Sequence, residues 1–64
     1  MVDGYYSAVV KVLRANGFRY LTHAKGSHEK WTNAQGIILM VPRNLMSRHT
    51  ANAILRDSGS STKL

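Results

Sequence analysis

Residues 18–42 read FRYLTHAKGSHEKWTNAQGIILMVP, and this stretch decides the fold. Residues 18–22 and 37–41 are rich in aromatic, aliphatic and β-branched side chains, the composition of strands. Residues 28–32 lie between two short connections, 24–27 and 33–36, each of which contains a glycine. Three strands joined by two such turns predict an antiparallel meander. Pro42 has no N–H to give to a ladder and is expected to end the third strand.

Helical patterns flank this meander. Tyr6, Val9, Val10 and Leu13 recur on one face, with Lys11 and Arg14 on the other side, so residues 4–16 predict a helix. Asp3 is placed to cap its start, and Gly17 after Asn16 is placed to stop it. Ser47 can cap a second helix whose Ala51, Ile54, Leu55 and Ser58 share a face opposite Arg48, Asn52 and Arg56. Gly59 marks its end. The prediction is an α+β domain of order α-β-β-β-α, with a three-stranded antiparallel sheet and both helices on one face. It occupies residues 1–59, and the small polar residues 60–64 are expected to fray.

The third strand is apolar on both sides. Ile37, Leu39 and Val41 share one face, and Ile38 and Met40 share the other. Helices can cover only one of them, so the second is either exposed or meets another chain.

With 64 residues there is room for one domain. So short a domain buries only about 60% of its unfolded surface. There is no Cys to staple it, and His23, His28 and His49 lack zinc-site spacing, so a partner protein is the remaining source of extra stability. No apolar run approaches the roughly 20 residues of a membrane helix. The start of the chain lacks a charged and then apolar signal segment. A cytoplasmic protein without membrane association is expected.

Nine Lys or Arg stand against three acids, a formal charge of +6. That balance points to a nucleic-acid partner. Arg19, Lys25, Lys30, Arg43 and Arg48 are candidate phosphate contacts, which add affinity without reading sequence. Tyr20, Phe18 and Trp31 are able to stack on bases, although Phe18 and Trp31 are expected in the core.

The residues with chemistry cluster in Lys25-Gly26-Ser27-His28. Gly26 permits a positive φ and close approach of a ligand to the backbone. A histidine titrates near neutral pH, so His28 can take a proton from a ribose 2′-hydroxyl or give one to a leaving oxygen. Lys25 and Lys30 flank it and favour a phosphate. Trp31 lies three residues away, so strand alternation turns His28 outward if the helices cover Trp31. His23 is a second acid–base candidate or phosphate donor, or a solvated strand end. Taken alone, one histidine after Gly-Ser is a weak pattern that a surface hairpin also produces. With only Asp3, Glu29 and Asp57 as acids, a site for hard cations is not expected. No metal or other cofactor is called for.

Gly17-Phe18, Lys25-Gly26-Ser27-His28, Val41-Pro42, and the run from Thr50 through Ile54-Leu55 to Gly59 together resemble the HicA family of bacterial and phage toxins. The resemblance spans residues 5–59. It implies a fold similar to the double-stranded RNA-binding domain, and a messenger-RNA endonuclease neutralised by a HicB antitoxin. It places the family's catalytic histidine at His28. Lys25, Gly26, Ser27, Lys30, His23 and Arg43 around it are the candidate RNA contacts. Two positions depart from the family pattern. His23 stands where Arg is common, and Asn44 where many members carry His after Val-Pro-x. Two other readings compete: a non-catalytic module that reads duplex RNA by shape, and a protein-interaction domain built on the second sheet face.

Overall fold

A computed structural model describes residues 4–64; the expected cap at Asp3 falls outside them. Helix α1 is Tyr6–Ala15, followed by strands β1 (Arg19–His23), β2 (His28–Thr32) and β3 (Ile38–Pro42), then helix α2 (Arg48–Asp57). The three strands form one antiparallel sheet in the order β1-β2-β3. The α+β order α-β-β-β-α is therefore the one predicted.

A helix end and a turn explain two small shifts in the strands. At the end of α1, Phe18 N–H donates to Leu13 O at 2.9 Å and Gly17 N–H donates to Arg14 O at 3.1 Å. This is a Schellman motif, and Gly17 takes the left-handed φ of 85° that it requires. Phe18 is thus spent on closing the helix, packs beside Leu13 in the core, and leaves β1 to start at Arg19. Ile37 was expected to open the third strand, on one face with Leu39 and Val41. Instead its N–H donates to Asn33 Oδ1 at 3.0 Å, which holds it in the turn, and its side chain is exposed. β3 then runs one residue further, and Pro42 pairs with His28 as its last member. As the end residue of an edge strand, Pro42 costs the ladder nothing it needs.

Ser47 caps α2 as expected, its Oγ accepting from Thr50 N–H at 3.2 Å. Val9, Val10 and Leu13 of α1 meet Ala51, Ile54 and Leu55 of α2 over Trp31, Leu39 and Val41. Both helices therefore cover one face of the sheet. Each fully buried aliphatic side chain there contributes about 1.5–3 kcal/mol. Trp31 is the largest, and only 1% of its surface reaches solvent. The opposite face is bare: Ile38 is 55% and Met40 46% exposed. β1 is exposed throughout, and a break in pairing between Tyr20 and Thr22 displaces Leu21 from the ladder.

Residues 60–64 run back along α2. Leu64 N–H donates to Asn52 Oδ1 at 2.7 Å, and Asn52 Nδ2 donates to Leu64 O at 3.3 Å. One side-chain amide thus satisfies both backbone groups of a residue twelve positions away, and the Leu64 side chain packs against the core. No described helix is long and apolar enough to cross a membrane.

Candidate functional site at the first hairpin

Backbone bonds at the β1–β2 connection fix where His28 sits. Ala24 N–H donates to His28 O at 2.9 Å, and His28 N–H donates to Lys25 O at 3.2 Å. The chain turns through Gly26 at φ 65°, a left-handed value that a side chain would strain. Among the described residues, no heavy atom beyond its chain neighbours lies within 4 Å of where a Cβ would stand there, so the requirement is conformational and the outer side of the turn is open.

A second segment braces this turn. Arg43 N–H donates to Ser27 O at 2.8 Å, and Ser27 Oγ donates to Asn44 Oδ1 at 2.9 Å. The residues just after Val41-Pro42 are therefore fastened to the residue just before His28. Asn44, which departs from the family pattern, serves here as the acceptor that holds Ser27.

The imidazole is exposed. Its Nδ1 lies 3.3 Å from Lys25 O. A carbonyl oxygen can only accept, so this contact needs the proton on Nδ1 and leaves Nε2 with its lone pair in the neutral ring. Lys30, two residues along β2, shares the face of His28. It pairs with Thr22 on one side and Met40 on the other. Lys25 is exposed in the turn itself.

His23 is placed differently. It pairs with Glu29, and directly paired residues share a face. Alternation along β2 then sets His23 and His28 on opposite faces at the same end of the hairpin. The structure brings together His28, Lys25, Gly26, Ser27 and Lys30, with Arg43 joined through its backbone, and it sets His23 apart from them.

Beneath the hairpin is a group that sequence reasoning passed over. Glu29 is 6% exposed. Its Oε1 accepts from Tyr6 Oη–H at 2.6 Å and from Trp31 Nε1–H at 3.1 Å. Its Oε2 lies 3.7 Å from Arg43 Nε. The Arg43 guanidinium also stands 5.9 Å from the centre of the Tyr6 ring, within range of a cation–π contact. Burial, the hydrogen bond to Glu29 and the charge of Glu29 raise the Tyr6 hydroxyl above the usual tyrosine range, in that order, so it remains a donor. Arg14 covers the Trp31 ring in the same way, 5.3 Å from its centre. The signal for Glu29 was present: it stands two residues from Trp31 on one strand, so it had to share the core face.

The chain also matches a family model. The one described as "HicA toxin of bacterial toxin-antitoxin" aligns with residues 6–60, which takes in every element of the fold. No curated protein and no solved structure gives a significant match.

Proposed function

The chain belongs to the HicA toxin family and is the toxin of a toxin–antitoxin system with a cognate antitoxin, and on that premise we propose that it is a metal-independent endoribonuclease that cleaves messenger RNA through His28. The observation that carries this reading is the contact of Nδ1 with Lys25 O. It presents Nε2 as a base on an open, cationic face.

In the proposed step, Nε2 takes the proton of a ribose 2′-hydroxyl. The freed oxygen attacks the adjacent phosphorus, and the 5′-oxygen leaves with a proton from solvent. The products are a 2′,3′-cyclic phosphate and a 5′-hydroxyl. Lys25 and Lys30 offset the charge that builds on the phosphate. The chain is basic enough to collect RNA without reading its sequence. Such a substrate places the reaction in the cytoplasm.

The antitoxin is proposed to be HicB-like, with acidic or apolar groups that cover His28 and its lysines. The exposed Ile38 and Met40 lie on that same sheet face and favour a protein that covers it.

The test is cleavage of RNA in chelator-treated buffer by wild type and by His28→Ala. Cleavage by wild type alone supports the proposal. Equal cutting by both removes His28 from the chemistry. If wild type neither cuts RNA nor arrests growth on expression, the enzyme reading falls. Tight duplex binding without cleavage, unchanged in His28→Ala, would favour the non-catalytic module.

A further inference from the structure

We propose that Glu29 is a positioning residue, whose buried carboxylate aims the Arg43 guanidinium at a phosphate of the bound RNA at the rim of the hairpin, on the Glu29 side of the sheet and so across the strand edge from the His28 imidazole. This rests on the RNA reading above.

A buried carboxylate is costly unless it is fully hydrogen-bonded or paired. Tyr6 and Trp31 satisfy Oε1 of Glu29. Oε2 is turned to Arg43. The pairing is unequal: the carboxylate side chain is 7% exposed and the arginine 66%. The carboxylate is the fixed member, held by two donors, and the arginine is the member that projects into solvent.

Three contacts set the place of Arg43. Its backbone N–H is fastened to Ser27 O, next to His28, at 2.8 Å. Its Nε side meets Glu29 at 3.7 Å. One face of the guanidinium stands over the Tyr6 ring. Because the carboxylate contact runs through Nε, the outer Nη edge remains available to a ligand. That edge is the part of an arginine that takes a phosphate in bidentate fashion. An arginine already held in place gives up less rotamer freedom when the phosphate arrives.

The proposal carries a sign that simple electrostatics does not. Glu29→Gln removes a negative charge close to the RNA path. If charge alone mattered, RNA would bind more tightly. If Glu29 orients Arg43, RNA binds more weakly although the protein has become more basic. Gln retains a side-chain oxygen for Tyr6 and Trp31, so it is the mildest replacement.

The experiment is binding of a labelled 2′-O-methyl oligoribonucleotide pool, which lacks the 2′-hydroxyl proton and resists cleavage. Affinity is measured over a salt series for wild type, Glu29→Gln, Arg43→Gln, Arg43→Lys and the double Gln variant. Glu29→Gln is expected to weaken binding by about threefold or more, as is Arg43→Lys, which keeps the charge but not the planar fork. Arg43→Gln is expected to lower the salt slope by about one. The double variant is expected to bind no more weakly than Arg43→Gln, because Glu29 acts through Arg43. Unchanged or tighter binding by Glu29→Gln overturns the proposal. If Glu29→Gln does not fold, wild-type affinity in Arg43→Lys overturns it instead. Wild type that binds no RNA at low salt sinks the RNA reading and this role with it. Wild type that binds while Glu29→Gln binds equally well sinks the positioning role alone.

Discussion

The Tyr6 hydroxyl donates to Glu29 Oε1 at 2.6 Å, joining α1 to β2 across 23 positions of the chain. Trp31 Nε1–H donates to the same oxygen at 3.1 Å. One carboxylate therefore ties the first helix, the central strand and the largest core side chain together. It lies on the core side of the same strand that presents His28 to solvent.

Loss of that carboxylate is expected to destabilise the fold. Glu29→Ala leaves the Tyr6 and Trp31 donors without an acceptor, at about 1–3 kcal/mol for each that stays buried. Tyr6→Phe removes a donor and leaves Glu29 bonded to Trp31, so it should cost less, about 1 kcal/mol. Urea denaturation of the three proteins measures both. A Glu29→Ala loss no larger than that of Tyr6→Phe would refute the central role of the carboxylate.

Alkaline stability should depend on Tyr6. Its folded pKa lies above the ordinary value of 10.0, raised by burial and by Glu29. The folded state therefore holds the proton more tightly than the unfolded state. This contribution is fully present below the unfolded value of about 10 and is lost as pH rises through the raised folded value. Other tyrosines and lysines titrate in both proteins, so the quantity to follow is the stability difference between wild type and Tyr6→Phe. That difference should move against wild type as pH is raised past about 10. A difference that is flat with pH would contradict the assignment.

Gly17 allows a cleaner backbone test. Its φ is 85°, and an added Cβ would meet nothing within 4 Å. Gly17→Ala should therefore cost only the left-handed conformation, about 1–2 kcal/mol. Gly17→Asn should cost less, since Asn tolerates that region. Equal losses in the two variants, by thermal denaturation, would point to a steric cause that the structure does not contain.

The hairpin should separate activity from stability. His28 is exposed, and among the described residues its ring bonds only to a local carbonyl. His28→Ala is expected to change stability by no more than about 0.5 kcal/mol while abolishing RNA cleavage. Ser27→Ala removes the 2.9 Å bond to Asn44 and should cost about 0.5–1.5 kcal/mol with a partial loss of cleavage. A Ser27→Ala protein with full activity would show that this brace does not hold the site.

The bare sheet face should matter to the antitoxin. Ile38→Glu places a charge on an already exposed position, so the fold should tolerate it. Association with the cognate antitoxin should weaken if the antitoxin covers that face. Undiminished association in a pull-down with the co-expressed antitoxin would exclude this face from the interface.

Much of this protein was legible in residue order because the signals are local. Helix periodicity, the glycines at Gly17 and Gly59, and the alternation through His28 and Trp31 each act within a few positions. They suffice for the α-β-β-β-α order, for the buried Trp31 and for an outward His28. The misplaced details arose where distant groups compete for one backbone. Phe18 went to close α1, and Asn33 held Ile37 in its turn. The site divides along the same line. The sequence itself determined that a histidine and two lysines flank a glycine turn in a basic chain. Only the tertiary structure decided that Tyr6 is the partner of the Glu29 carboxylate, that Arg43 is bound beside Ser27, and that His23 faces away from His28. Those facts depend on strand register and on helix packing over the sheet. Both are set by contacts between residues far apart in the chain, which no local pattern specifies.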